Sequence, residues 1–264
     1  MIYNIQGKHA IPWDKSIHPK DAVYTVYGDI ETLNVLLDEN FDTFNLDVWS
    51  CMSGPYRNWQ YLPEDYSNNV FAENGELIVR NLKNNPTPDY EWSGAWIDTK
   101  NKFEFQYGTI IARIKFPSND YYHATLWLLG HNSGEIDIVE TDAGRAWSVL
   151  HYYEDSTVEN PHTQYIGHYP FAAQQVGDTS EVDEYHIYQF DWTEDEIIVH
   201  YDNKLLGKFN MQNASIDGYN SFEQQLYLVF NTNPLSPNID GGTYTTEDVV
   251  TNKIDFIKVY GLQS

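Results

Sequence analysis

Gly134-Glu135-Ile136-Asp137-Ile138-Val139-Glu140 sets three carboxylates among aliphatic side chains on one short stretch. Two carboxylic acids facing one cleft can cleave a glycosidic bond. One attacks the anomeric carbon and the other protonates the leaving oxygen, with carboxyl groups about 5–5.5 Å apart in retaining enzymes. In a strand, residues two apart share a face. Glu135 and Asp137 therefore point one way, and Ile136 and Ile138 the other. Unbroken alternation would send Glu140 to the apolar side, where an unpaired carboxylate is expensive. A β-bulge at Ile138-Val139 is expected instead, because one extra residue restores the phase and re-aims the next side chain. Glu135 and Glu140 then stand roughly 13 Å apart at Cα, so their long arms must lean inward, with Asp137 between them. Crowded like charges cannot all ionise freely, so at least one carboxyl is expected to have a raised pKa and to serve as the acid. The titration belongs to the cluster. A solvated acidic strand face, or a calcium site built from the same acids, remains open at this point.

The elements that must carry these acids read as strands. Glu76 to Arg80 alternates; Phe103 to Phe116 reads as two strands around Tyr107-Gly108; Ala124 to Leu129 precedes the acidic strand and Ser148 to Tyr153 follows it. Tyr185 to Trp192 alternates, Ile197 to Tyr201 forms a hairpin with Leu205-Leu206, and Gln225 to Asn231 and Ile254 to Tyr260 close the chain. No segment keeps a helical period, which indicates an all-β sandwich of two sheets. Loops are expected at Asn81–Trp92, Glu154–Asp183 and Thr232–Asn252, where Pro, Gly, Asn and Asp gather. Residues 1–33 are expected to be an N-terminal extension packed on the sandwich, with 34–264 as the domain itself.

Composition narrows the partners. The chain has 264 residues and a single cysteine, Cys51, so no intrachain disulfide can form. Fifteen Lys plus Arg against 39 Asp plus Glu give a net charge of −24. That field repels nucleic acid and anionic membranes and suits a neutral partner; halophilic or secreted solubility explains the number equally well. Eight Trp, 21 Tyr and 12 Phe exceed what a core of this size needs, and the excess favours a cleft whose aromatic faces stack on sugar rings. No basic segment followed by an apolar run marks a signal peptide. No apolar stretch approaches the ~18 residues of a membrane span. An extracellular or cell-surface setting is expected only from the substrate class.

At the acidic strand the chain resembles glycoside hydrolase family 16, a jelly-roll family of laminarinases, lichenases, agarases, carrageenases and endo-β-galactosidases. Its motif is Glu-x-Asp-x-Glu, or Glu-x-Asp-x-x-Glu in a bulged branch, and GEIDIVE is similar to the bulged form. The resemblance runs from about Leu36 to Tyr260, through DENFDTFNLDVW (38–49), SNNVFAENGELIV (67–79), SGAWIDTKNKFEFQYGTIIARIKFP (93–117), TLWLLG (125–130), DWTEDEIIVHYDNKLL (191–206) and IDFIKVY (254–260). It implies a β-jelly roll with a concave substrate cleft, with Glu135 as nucleophile, Asp137 as assisting acid and Glu140 as general acid/base. It also implies that Trp127 lines the cleft, that Asn69 bonds a sugar hydroxyl and that His151 stands near the acid/base. Asp255 and the Gly75 carbonyl match positions holding a structural calcium in many members, and the resemblance implies that catalysis itself requires no cofactor.

Two departures bear on specificity. Laminarinases usually carry Arg after the Ser-Gly of the long match, where this chain has Ala95 and Trp96. Their Trp-Pro-Ala-Phe-Trp is replaced by His123-Ala-Thr-Leu-Trp127. Trp92, Trp96, Trp147 and the Tyr152-Tyr153 pair are candidates for an aromatic set of the chain's own. The expected function is a retaining endo-β-glycosidase acting on internal linkages: a neutral β-glucan or β-galactan is the expected partner, and a monomer the expected state. A non-catalytic glycan-binding jelly roll and a transglycosylase of the same fold are the alternatives.

Overall fold

Strands form wherever the sequence alternates or runs aliphatic between turn residues, and they assemble into two sheets. The computed structural model describes residues 2–3, 23–24, 34–117, 122–142, 145–153, 161–169, 183–202, 204–215, 220–234 and 248–261. Six strands of one sheet matter for the site: β1 (Ala95–Asp98), β2 (Tyr122–Gly130), β3 (Glu135–Asp142), β4 (Arg145–Tyr153), β5 (Pro161–Tyr169) and β6 (Leu226–Pro234). They lie in the order β5-β4-β3-β2-β6-β1, with Ser50–Cys51 at the far edge and Glu104–Phe105 also pairing with β6. The second sheet runs from Lys204–Asn210 through Glu196–Tyr201, His186–Trp192, Gly108–Lys115, Val249–Gly261 and Glu76–Leu82 to shorter strands at Trp92–Ser93, Gln60–Leu62 and Gly54–Arg57.

The core lies between the sheets. Leu126, Leu128, Ile136, Leu150 and Phe230 of the first meet Ile110, Ala112, Ile114, Ile257 and Val259 of the second in one buried cluster. This is the expected all-β sandwich, antiparallel in nearly all its pairings. The break at Tyr107-Gly108 is also found. Tyr107 has φ 62° and Gly108 φ 149°, and a Cβ on Gly108 would meet the Tyr260 carbonyl at 2.4 Å.

One expectation fails. The span 154–183 is not all loop, because β5 pairs along its whole length with β4, from Ala146↔Tyr169 to Tyr153↔Pro161. Its sequence, PHTQYIGHY, has no apolar alternation, and backbone pairing at a sheet edge leaves no mark on composition. The expected packing of residues 1–33 falls outside the described residues, apart from a two-residue parallel pair, Ile2–Tyr3 with Val23–Tyr24.

The feature that positions the site is a slip in β3. Against β2 the pairing runs Leu129↔Glu135, Leu128↔Ile136, Trp127↔Asp137 and then jumps to Leu126↔Val139 and Thr125↔Glu140. Against β4, Asp137 faces Val149 while Glu140 faces Trp147. Ile138 and Val139 are consecutive and both fully buried, so the strand spends two residues on its apolar side before Glu140 turns out. The skipped residue of β4 is Ser148. Its hydroxyl donates to the Asp137 carbonyl at 3.0 Å and serves an acceptor at the point where the ladder is interrupted. Ser148 is wholly buried. Ser148→Ala is therefore expected to leave that carbonyl without its partner and to cost about 1–3 kcal/mol. Chemical denaturation with an unchanged m-value would measure the loss, and an unshifted midpoint would show that the hydroxyl does not hold the slip.

Candidate active site

Residues directly opposite each other in an antiparallel pair share a face, so the register defines the site's membership. β3 contributes Glu135, Asp137 and Glu140. β2 sets Thr125 and Trp127 beside them, and β4 adds His151 opposite Glu135 and Trp147 opposite Glu140. β6 continues the face with Tyr227, Val229, Asn231 and Asn233, and β1 adds Trp96 opposite Asn231. The three acids expected to converge do share one face.

Their environments differ. Asp137 is only 3% exposed, and burial pushes its carboxyl above the ordinary Asp value despite the bond from His151. His151 Nε2 lies 3.2 Å from Asp137 Oδ2; burial would lower the imidazole, but Asp137 and the charges of Glu135 and Glu140 leave it raised. Ligand-type atoms of Glu135, Asp137 and His151 all fall within 4.8 Å of one another. At Glu140, burial acts upward but is outweighed by the bond and charge of His123 and by His151, so the carboxyl ends below its ordinary value. Of these two carboxyls the raised one is thus Asp137, and Glu140, the expected acid/base, is the lowered one. The physical reason is the bond of 2.8 Å between His123 Nε2 and Glu140 Oε1.

His123 is the residue that sequence reasoning passed over. The histidine expected near Glu140 was His151, yet His151 bonds Asp137 and His123 bonds Glu140. Only the slip brings position 123 diagonal to position 140, so no spacing rule finds it.

The aromatic residues divide between site and core. Trp127 donates from Nε1 to Asn231 Oδ1 at 2.7 Å, and Asn231 donates from Nδ2 to the Tyr56 hydroxyl at 3.3 Å. Trp96 sits edge-on to Trp127 at 5.2 Å and to Tyr56 at 5.5 Å. Its Nε1 donates to Asp98 at 3.0 Å. Tyr56, also unanticipated, carries a pKa raised by burial, with Arg57 opposing and the charge of Glu135 adding to the rise. Trp147 stands half-buried beside Glu140.

Other expected members are elsewhere. Trp92 is 2% exposed, in the second sheet, so its faces are closed to a sugar. Asn69 is 1% exposed, and both its amide hydrogens are spent, on the Arg80 carbonyl at 3.0 Å and the Ser93 hydroxyl at 3.1 Å. Tyr152 turns to the core against Phe209; the side chain of Tyr153 lies outside the described residues.

The residues do not fit the calcium that the resemblance implies. Asp255, 2% exposed, already pairs with Arg113, Nη1 to Oδ2 at 2.6 Å. The guanidinium lies 4.3 Å over the Tyr185 ring. A fixed positive charge at the carboxylate repels a second cation there. Gly75 serves a tight hairpin turn, with Asn74 at φ 54° and Gly75 at φ 72°.

The chain has relatives in both sequence and structure. "Glucan endo-1,3-beta-glucosidase A1" of Niallia circulans is 26% identical over 268 residues, covering 88% of this chain and 38% of that protein. "Beta-1,3-glucan-binding protein" of Penaeus monodon is 29% identical over 124 residues, covering 43% of this chain and 34% of that one. The chain thus spans little more than a third of either relative. The crystal structure of the laminarinase catalytic domain from Thermotoga maritima MSB8 superposes with a TM-score of 0.70 at 23% identity, over 88% of this chain and 99% of that one. The family model for glycosyl hydrolases family 16 matches residues 59–249. Those residues include the slip in β3 and the acids it gathers, and the chain belongs to glycosyl hydrolases family 16.

Proposed function

We propose that the chain is a retaining endo-β-glycosidase that hydrolyses internal linkages of a neutral β-glucan or β-galactan. The observation that carries this reading is the register slip that turns Glu140 to the face of Glu135 and Asp137. In the proposed reaction Glu135 attacks the anomeric carbon while Glu140 delivers a proton to the glycosidic oxygen. The carbon–oxygen bond breaks as the ester to Glu135 forms. Glu140 then takes a proton from water, whose oxygen attacks the same carbon and frees Glu135. Asp137, buried and raised, is suited to donate a hydrogen bond to Glu135 and steady it, since burial favours its neutral form. Net charge −24 and site-face Trp96, Trp127 and Trp147 support an uncharged glycan stacked on aromatic rings.

Glu135→Ala is expected to lower glycan hydrolysis by about 10³-fold or more. Azide should restore turnover of an aryl glycoside to give the α-glycosyl azide. Glu140→Ala with azide should give the β-azide. Retention of most activity by Glu135→Ala would end the assignment.

The Penaeus relative's name favours one second reading, a glycan-binding module without hydrolysis. Reducing-end release from a panel of β-glucans and β-galactans separates the two, since a binder retains glycan and releases no ends. Products longer than the starting oligosaccharide would indicate transglycosylation by the same machinery.

The division of tryptophans is testable too. Trp96→Ala should weaken oligosaccharide binding by about 1–1.5 kcal/mol, roughly 5- to 13-fold, with little change in unfolding. Trp92→Ala should remove about 3–5 kcal/mol of stability while the folded fraction binds normally. Calorimetry and thermal melts on both variants check this, and the reverse pattern would place Trp92 in the cleft.

A further inference from the structure

We propose that His123 is a positioning residue that holds the reaction's proton jointly with Glu140, so that the acid at this site is an imidazole–carboxyl pair. The inference rests on the reading of Glu140 as acid/base and answers a difficulty within it. An ordinary carboxyl is already ionised in neutral solution, and the bond and charge of His123 and the charge of His151 hold Glu140 further toward that form, so Glu140 by itself has no proton to donate there.

The geometry supplies the missing proton. His123 Nε2 lies 2.8 Å from Glu140 Oε1, and its Nδ1 lies 3.3 Å from Asn233 Oδ1. Both ring nitrogens therefore face oxygens: a ring carrying two N–H groups satisfies both, and a neutral ring does so only when Glu140 carries the proton that Nε2 accepts. The Thr125 hydroxyl, 3.3 Å from Nε2, can turn to accept as well. The ring is mostly enclosed, with its side chain 19% exposed. Among the described residues, the titratable groups around the pair are Asp137 and Glu135 of β3 and His151 of β4. β2 and β6 present only uncharged Thr125, Asn231 and Asn233. Burial opposes a charged His123, but the bond to Glu140 and its charge, the bond to Asn233 Oδ1 and the charge of Asp137 raise it above the ordinary histidine value.

The proton balance is as follows. The resting pair carries one proton beyond neutral imidazole plus carboxylate. As the glycosidic bond breaks, Glu140 releases a proton to the leaving oxygen and His123 passes its Nε2 proton toward Oε1. The pair is left as neutral imidazole and carboxylate. In the second step Glu140 accepts a proton from the attacking water, and the pair regains its starting charge. No further reactant is needed.

The sign of the pH effect follows. A raised imidazole loses its proton only as pH climbs through its elevated value, so the pair stays loaded above the pH at which a carboxyl alone would empty. His123→Gln keeps an N–H donor toward Glu140 but cannot carry the proton. The variant's kcat/KM on a cleaved glycan should retain its acidic limb and lose its alkaline limb, by about one pH unit or more. Losses should be smaller on aryl glycosides whose leaving group departs without a proton. Superimposable profiles for wild type and His123→Gln would overturn the proposal, since bare positioning is preserved by Gln.

Should the variant fail to fold by circular dichroism, ring ¹⁵N chemical shifts of wild type and Glu140→Gln decide the matter. The His123 titration should fall in Glu140→Gln, and a ring that stays singly protonated across the active range would defeat the pair. Lack of cleavage by wild type on the whole glycan panel would remove the hydrolase reading instead, and the ring titration would still judge the pair.

Discussion

The site depends on a contest between core and carboxylate that is settled by one inserted residue. Burying an aliphatic side chain such as Ile138 or Val139 is worth about 1.5–3 kcal/mol, and placing Glu140 among them unpaired would cost several kcal/mol. Both demands are met when Ile138 and Val139 enter the core in succession and the strand resumes its phase at Glu140. The bulge is therefore required by packing, and chemistry inherits it. The pairing of Thr125 with Glu140 follows from it, and the approach of His123 to Glu140 follows from that pairing.

Electrostatics then makes like residues unlike. Three carboxylates gather in a chain of net charge −24, a gathering that needs opposite charge close by. Two imidazoles stand beside them on the neighbouring strands, His123 on Glu140 and His151 on Asp137, and both are held above the ordinary histidine value. Asp137 is the more deeply buried, and desolvation wins there. Glu140 keeps more contact with solvent and has the shorter bond to its histidine, and ion pairing wins. Such a split in environment is how two carboxyl groups of one site take different roles.

The parts of this arrangement that were legible in the sequence are those fixed along the chain. Ile136, Ile138 and Val139 disclosed the slip because their phase conflicts with that of Glu140, and the alternating strands disclosed the sandwich. What depends on a partner strand was hidden. The pairing of Pro161–Tyr169 with β4 is a backbone matter. His123 looked like a mere departure from a Trp-Pro-Ala-Phe-Trp pattern until the shifted register set it against Glu140. Asn69 and Trp92 were misread for a related reason. An amide or an indole has the same letter whether it meets a sugar or closes the interior, and only burial tells them apart.

The aromatic excess illustrates the same point in reverse. As composition it suggested a sugar-binding cleft, yet Trp49, Trp192, Tyr122, Tyr188 and several phenylalanines are fully buried and serve the space between the sheets. The rings beside the acids are few, and what distinguishes them is restraint. Trp127 is fixed through Asn231 to Tyr56, and Trp96 is held edge-on between the two rings while bonded to Asp98. A ring whose polar edge is already committed spends little conformational entropy when a flat apolar face stacks on it. On the proposed function, recognition at this face would follow from how a handful of rings are held, and the number of aromatics in the chain says little about it.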